Sequence, residues 1–171
     1  QTKLVYNRYG DHDPDGLIFV PLEDVDLVLA GNYTPKPLIL RANVGDWLEV
    51  TLHNLWDPDR PVPYFDYPTV PLELEHKPSN RVSLNPQFLK YDPVSDSGIN
   101  VGYNPKEQTV GIGESKRYYW KADREYGTCI IQSFGDMRNH RYHGLFGAVI
   151  VEPAGAQWYE NFTKKKNPFA E

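Results

Sequence analysis

The sequence predicts an all-β domain, a two-sheet sandwich whose short strands are joined by turns and by two long loops. Its 171 residues include 15 Pro, 13 Gly and 12 Tyr, a composition that favours strands and turns over long helices. The clearest strand runs from Trp47 to His53, where apolar and polar residues alternate as they do on a half-buried strand. A chain of this length can bury roughly two-thirds of its unfolded surface, so it needs no covalent staple.

Six further segments are candidate strands, because each is rich in apolar or aromatic residues and lies between turn signals. They are 26–30, 37–42, 81–84, 115–122, 128–134 and 147–152. We predict that eight strand side chains are buried or half-buried: Trp47, Leu48, Val50, Leu52, Tyr118, Trp120, Ile131 and Val149. Two long connections, 55–80 and 88–113, interrupt the strands. Loops of this length in a compact domain are usually functional or held against a partner.

The chain is predicted to be a single domain overall, with three parts. Residues 1–36 form an N-terminal arm and the first strands of the sandwich, 37–153 the core, and 154–171 a C-terminal tail. The tail has weak periodicity but several aromatic side chains: Trp158, Tyr159, Phe162 and Phe169. These side chains fit either docking on another subunit or domain, or packing of the tail on its own domain.

Charge and hydropathy exclude two classes of partner. The net charge of −5 is mild and mixed in sign, which gives no basic footprint for nucleic acid. No apolar run approaches the roughly 20 residues of a membrane span. The single cysteine, Cys129, cannot form an internal disulfide.

Three segments carry a family pattern: Ser83 to Gln87 (SLNPQ), Gly127 to Phe134 (GTCIIQSF) and Gly144 to Pro153 (GLFGAVIVEP). With the stretch from Gly113 to Trp120, they resemble the cupredoxin domains of the multicopper oxidase family, which includes laccase and ceruloplasmin. In that family the first two segments usually read S-x-H-x-H and G-T-x-x-x-H-x-H. Here the four histidine positions fall on other residues: Asn85, Gln87, Gln132 and Phe134.

The resemblance covers roughly 37–153 and implies a Greek-key cupredoxin-like β-sandwich with long loops. It also implies other cupredoxin domains or subunits as partners and, if the chain is part of an enzyme, a multicopper oxidase, which is an oxidoreductase. We accordingly expect an extracellular or periplasmic protein. The copper chemistry does not carry over, because amides are poor copper ligands beside imidazole and phenylalanine is no ligand. We therefore predict no trinuclear copper half-site.

A blue-copper site needs two histidines, a cysteine and usually a weak axial ligand, and Cys129, His140 and Leu145 have the right order. Two observations oppose this site. The resemblance places the copper cysteine at Ser133 rather than Cys129, and no histidine near Val82 or Asn85 can supply the second imidazole. The alternative is that Cys129 is a buried, unreactive residue of a strand, with its pKa raised by burial.

His140 and His143 are the remaining imidazole cluster, in the loop before the last strand, where cupredoxins place metal ligands. Their three-residue spacing in a loop allows both rings to reach one ion, so copper is possible here. The loop is also rich in Arg, Asn and Asp, which predicts exposure of both histidines. The alternative is a polar loop whose histidines bond to backbone or face a partner.

The N-terminal stretch Asp11 to Ile18 (DHDPDGLI) has the form of a calcium loop. Alternating carboxylates of Asp11, Asp13 and Asp15 would converge on one hard cation, and Gly16 would allow the sharp turn. The closing acid is out of place, because position twelve of the loop is Leu22 and Glu23 comes one residue late. The competing interpretation, which we favour, is an Asp-Pro-Asp-Gly turn between two strands.

Three functions are consistent with the sequence. The first is a non-catalytic or assembly domain or subunit of a multicopper-oxidase-type protein. The second is an independent copper protein that transfers electrons or oxidises a substrate through a rearranged site at Cys129, His140 and His143. The third is a structural extracellular module stabilised by calcium.

Overall fold

The computed structural model describes residues 2–60, 62, 78–160 and 162–167. Within them the chain forms short strands, two short α-helices and a 3-10 turn at Leu22–Asp24. The helices are α1 (Val25–Leu29) and α2 (Asn139–Tyr142). The strands are β1 (Thr2–Val5), β2 (His12–Gly16), β3 (Leu38–Asn43), β4 (Trp47–His53), β5 (Asn85–Pro86), β6 (Ser115–Lys121), β7 (Gly127–Gln132), β8 (Phe146–Glu152), β9 (Trp158–Tyr159) and β10 (Lys166–Asn167). The predicted all-β fold is confirmed.

Two sheets enclose the core. The larger sheet has the order β3-β8-β7-β5, in which β3 runs parallel to β8 and the other pairs are antiparallel. The smaller sheet pairs β4 with β6 in antiparallel register, and β1–β2 and β9–β10 form separate two-stranded ribbons. The inward side chains of both sheets belong to one buried hydrophobic cluster, which includes Leu52, Tyr118, Trp120, Cys129, Ile131, Val149 and Val151.

Most of the predicted strands are confirmed, and two are wrong. The segments 37–42, 47–53, 115–122, 128–134 and 147–152 correspond to β3, β4, β6, β7 and β8. The segment 26–30 is helical instead, with Ala30 N–H donating to the carbonyl of Asp26 at 3.0 Å. In 81–84 only Val82 forms a bridge, to Val110, and strand β5 begins just after it at Asn85.

Seven of the eight side chains predicted to be buried or half-buried are so, and Trp47 is not. Trp47 is 65% exposed. It shares its face of β4 with Glu49 and Thr51, while Leu48 and Val50 face inward, because successive side chains of a strand alternate between faces. The Lys121 ammonium lies over the Trp47 ring, 5.4 Å from its centroid.

The long connection 88–113 is tied to the core by hydrogen bonds. Tyr118 donates its hydroxyl to the carbonyl of Gln108 at 2.6 Å, and the Trp120 indole donates to the carbonyl of Asp96 at 3.1 Å. Burial raises the pKa of Tyr118, so this buried donor keeps its proton. Most of the other long connection, 55–80, lies outside the described residues.

The C-terminal tail divides its aromatic side chains between packing and solvent. Trp158 is half-buried and its indole donates to the Glu152 carboxylate of β8, whereas Tyr159 and Phe162 are exposed. Phe169 lies outside the described residues. The part of the chain that is described holds no helix both long and apolar enough to cross a bilayer.

Candidate functional site

Asn85 and Gln132 lie directly opposite each other where β5 pairs with β7. Directly opposite residues of an antiparallel pair project from the same face of the sheet, so the two amides share one face. Asn85 is buried, and its amide nitrogen donates to the carbonyl of Ser97 at 2.6 Å. The Asn85 side chain therefore ties the long connection 88–113 to this edge of the sheet.

The other two positions of the histidine pattern follow the strand ends. Gln87 comes just after β5 and its backbone N–H donates to the carbonyl of Ile130 at 2.9 Å. Phe134 comes two residues after β7 and its backbone N–H donates to the hydroxyl of Ser83 at 2.9 Å. Both side chains are half-buried.

A buried hydrogen-bonded network lies next to these amides, around His140. The Nδ1 atom of His140 is 2.9 Å from the hydroxyl of Ser133, and its Nε2 atom is 2.8 Å from the carbonyl of Ser79. The Ser133 hydroxyl also accepts the backbone N–H of Ser83 at 3.1 Å. The Trp56 ring packs on the imidazole with 5.8 Å between centroids.

The partners of His140 determine which of its two ring nitrogens carries the hydrogen. A carbonyl oxygen can only accept, so Nε2 carries the hydrogen and donates to Ser79. Nδ1 is then the acceptor, and Ser133 donates its hydroxyl proton to it. Burial lowers the pKa of His140, against smaller opposing effects of the Ser79 bond and of Asp136, and keeps the ring neutral in this tautomer. Both nitrogens of the imidazole are occupied by protein.

Asp136 fixes the loop that carries His140. One carboxylate oxygen accepts the backbone N–H of Asn139 at 3.1 Å, and the other accepts the Asn139 amide at 2.8 Å and the backbone N–H of Ser79 at 3.1 Å. Asp136 therefore holds α2 and the segment around Ser79 together. The prediction that His140 is exposed is wrong: the side chain is fully buried, because serine and backbone partners satisfy it there.

The side chain of His143 contacts the N-terminal arm rather than this network. Its Nδ1 atom lies 2.5 Å from Oδ2 of Asp13, and its side chain is 14% exposed. The hydroxyl of Tyr6 donates to the same Asp13 oxygen at 3.4 Å. The Nε2 atom of His143 is buried and has no hydrogen-bond partner among the described residues. His143 is thus mostly buried, contrary to the predicted exposure.

Two of the three carboxylates of the calcium motif, those of Asp13 and Asp11, take separate side-chain partners. Asp13 contacts His143, and its other oxygen accepts the backbone N–H of Asp15 at 2.9 Å. Asp11 accepts the Asn7 amide at 2.7 Å. The stretch from His12 to Gly16 is strand β2, neither a calcium loop nor a turn between two strands. Over the described ranges, no group of three or more His, Cys, Asp or Glu side chains could hold a metal ion.

Cys129 lies in the middle of β7, fully buried and paired with Val149. Burial raises the pKa of its thiol, as predicted. The structure brings Ser133, not Cys129, to His140. Ser133 also donates its backbone N–H to the carbonyl of Leu145 at 3.4 Å, and Leu145 donates to the carbonyl of His140 at 2.9 Å. Sequence reasoning missed this serine network, although the family pattern marked Ser133.

The structural comparison identifies the fold. The chain is similar to the copper nitrite reductase from Nitrosomonas europaea, with a TM-score of 0.54 and 19% identity over 91% of this chain and 39% of that one. It is also similar to a multi-copper oxidase from Pseudomonas thermotolerans, with a TM-score of 0.49 and 19% identity over 72% of this chain and 24% of that one. No protein-family model matches the chain, and no curated protein matches its sequence.

The similarity to the nitrite reductase shows a cupredoxin-like fold, in a chain that spans 39% of the length of that protein. The residues at the expected copper positions do not fit the metal. Asn85 and Gln132 offer amides where the resemblance predicts imidazoles, and Phe134 offers no donor atom. The imidazole of His140 already uses both nitrogens in bonds to protein.

Proposed function

We propose that this chain is a non-catalytic cupredoxin-like domain or subunit of a multicopper-oxidase-type protein, and that its role is assembly rather than redox chemistry. The observation that carries the proposal is the bond between Ser133 and His140 at 2.9 Å. At the position where the family pattern expects a copper thiolate, a hydroxyl donates to the imidazole instead. A metal bound to His140 would have to displace Ser133 or Ser79 and leave that buried group without its partner.

The amide pair supports the same conclusion from a second position. Asn85 is buried and donates to Ser97, so its side chain acts as a structural tie to the long connection 88–113. Gln132, directly opposite, is half-buried. Replacement of imidazole by amide at such positions keeps hydrogen-bonding ability and removes the preferred copper ligand.

One sheet face supports a role in assembly. Three residues lie side by side across β3, β8 and β7: Ile39, Ala148 and Ile130. Phe146 precedes Ala148 by two residues on β8 and so shares its face. Ile39, Ile130 and Phe146 are exposed. Neighbouring exposed apolar side chains on one face are typical of surfaces that meet another protein. We propose that this outer apolar face meets another cupredoxin domain or subunit, in an extracellular or periplasmic assembly.

Copper loading tests the non-catalytic role. The protein is incubated with Cu(II), freed of unbound metal by gel filtration, and analysed for copper and for a visible copper–thiolate band. His12 and His53 are exposed and can chelate copper adventitiously, so the measurement uses the variant His12→Ala/His53→Ala. We expect far less than one copper per chain and no thiolate band.

The opposite result has a clear signature. Copper retained at one per chain in His12→Ala/His53→Ala, and lost when His140→Ala is added, would overturn the proposal in favour of an independent copper protein. If adding Cys129→Ser removes both the bound copper and the visible band, the result would favour a blue-copper site. A melting temperature raised by Ca²⁺ in the wild type but not in Asp13→Asn would instead favour the calcium-stabilised module.

A further inference from the structure

An apolar pocket of about 420 Å³ lies between the N-terminal arm and the loop before β8. This volume is within the range of small-molecule sites in proteins. Most of its walls are aromatic, aliphatic or proline side chains. They come from β1 and the residue after it (Leu4, Tyr6), the residues after β2, the segment before β3 (Tyr33, Thr34, Lys36) and the start of β8 with its preceding loop (Phe146).

The pocket walls are held in position by the arm's contacts with the core. Leu17 donates its backbone N–H to the carbonyl of His143 at 2.6 Å, and Asp13 bonds to the His143 ring at 2.5 Å. Leu4 packs so closely on Gly144 that a Cβ there would lie 2.5 Å from Leu4 Cδ1. Walls fixed in this way lower the entropy that a ligand must overcome on binding.

Lys36 supplies the charge of the pocket. It is the one Lys, Arg, Asp or Glu among the lining residues. It is exposed, and it forms no ion pair with any residue in the described ranges. Asp13, which accepts the hydroxyl of Tyr6 in the pocket wall, is also bonded to His143. An ammonium group at the edge of an apolar pocket attracts an anionic group whose apolar body can enter the pocket.

Two of the three tyrosines that line the pocket, Tyr6 and Tyr33, add no negative charge. Burial, and then the charge of Asp13, raise the pKa of Tyr6; burial, and then the charge of Asp24, raise the pKa of Tyr33. Both therefore remain protonated near neutral pH, and their rings present flat apolar surfaces. Aromatic rings in the ligand can stack on such surfaces in offset or edge-to-face geometry.

We propose that this pocket is a binding site for a small aromatic monoanion, with the aromatic body between the arm and β8 and the anionic group at Lys36. The site is independent of the non-catalytic role proposed above. Phe146 also belongs to the outer apolar face, but the site uses none of the amide positions and none of the Ser133–His140 network, so the non-catalytic role and this site can each fail alone.

Three probes with the same ring system test the site. These are 2-naphthoate, the neutral 2-naphthamide and the cationic 2-naphthylmethylammonium, each measured by isothermal titration with the wild-type protein. We expect saturable binding of one naphthoate per chain, weaker binding of the amide and the weakest binding of the amine. Added salt should weaken naphthoate binding more than amide binding.

Two variants with matched controls locate the binding. Thr34→Trp places a large ring at the pocket and should weaken naphthoate binding by about tenfold or more, because it removes most of the apolar area available to the ligand. Thr51→Trp, on the exposed face of β4, should leave it unchanged. Lys36→Gln should weaken naphthoate binding roughly two- to fivefold, the effect expected for an exposed ion pair, and leave naphthamide binding unchanged. Lys106→Gln, in the connection 88–113, is its control.

Circular dichroism of each variant establishes that it is folded, so that lost binding reports on the pocket. Saturable naphthoate binding that fails in Thr34→Trp and is charge-selective through Lys36 supports the proposal. Wild-type affinity in Thr34→Trp, or no saturable binding of naphthoate, would overturn the site. Equal affinity for naphthoate and naphthamide, or preference for the amine, would overturn the assignment of an anion.

Discussion

The hydroxyl of Ser133 lies 2.9 Å from Nδ1 of His140, so these two buried side chains bind each other directly. Ser133 is also the acceptor for backbone N–H groups of Ser83 at 3.1 Å and Gly135 at 3.4 Å. One hydroxyl therefore joins the segment before β5, the end of β7 and the loop that carries α2.

Removal of this hydroxyl should destabilise the fold. Ser133→Ala leaves the Ser83 N–H and the His140 Nδ1 atom buried without their partner, a loss worth about 1–3 kcal/mol. We expect a lower free energy of unfolding in guanidinium chloride with an unchanged m-value. Ser115→Ala, at an exposed position of β6, is the control and should change little. Equal stability of the two variants would contradict the network.

Protonation of His140 should couple stability to pH. Burial lowers its folded pKa below the ordinary value of 6.5, so the unfolded state takes up the proton first as the pH falls. The contribution of neutral His140 to the free energy of unfolding is complete above pH 6.5. It is lost as the pH drops below 6.5 toward the pKa of His140 in the folded state. The slope can reach at most about 1.4 kcal/mol per pH unit.

Denaturation measured between pH 8 and pH 5 checks this coupling. We expect His140→Gln to be less stable than the wild type at pH 8 and to lose less stability on acidification. His53→Gln, at an exposed position of β4, should keep the wild-type slope. A wild-type slope in His140→Gln would mean that another group causes the acid sensitivity.

The Cys129 thiol should resist chemical modification in the folded state. It is fully buried, and burial raises its pKa, so both access and thiolate are lacking. We expect reaction with Ellman's reagent only at the rate at which the protein opens, and full reaction in denaturant. The matched control is Cys129→Ala/Ile130→Cys, which moves the thiol to an exposed neighbouring position and should react rapidly. Equal rates in the two proteins would contradict the strand orientation.

Strand periodicity accounts for the part of the fold that could be predicted. Leu48, Val50 and Leu52 alternate with polar residues, and the structure places them on the inner face of β4. The same alternation assigns Trp47 to the outer face, so the prediction of its burial gave its apolar character too much weight. The segment 26–30 is too short for periodicity to separate strand from helix, and the acidic Glu23 and Asp24 favour a helix start.

The polar interior could not be predicted in the same way. His140 lies in a stretch of charged and amide residues that suggests solvent, yet its partner Ser79 is 61 residues away in the chain. The partner of His143, Asp13, is 130 residues away. Nothing in the local composition indicates such distant partners. The family pattern did mark Asn85, Gln132 and Ser133, because it records which strand positions meet in space.

The direct opposition of Asn85 and Gln132 predicts that a metal site can be created there. Opposite residues of an antiparallel pair have Cβ atoms roughly 4.5–5.5 Å apart, close enough for two imidazoles to share one ion. We expect Asn85→His/Gln132→His to bind Cu²⁺ or Zn²⁺ more tightly than either single variant, by about tenfold or more, since imidazole suits both metals. The loss of the Asn85 bond to Ser97 should lower the stability of the metal-free protein by about 1 kcal/mol.

Thermal unfolding with and without metal measures this gain, because a ligand that binds only the folded state raises stability, by about 2.7 kcal/mol at a hundredfold excess over its Kd. The matched control is Asn85→His/Ile130→His. Ile130 lies on the same face of β7 as Gln132 but diagonal to Asn85, with Cα atoms roughly 7–8 Å apart. We expect the diagonal pair to bind metal more weakly than the opposite pair, because its rings must stretch to reach one ion. Equal affinities for the two pairs would contradict the register of β5 on β7, in which Asn85 lies directly opposite Gln132.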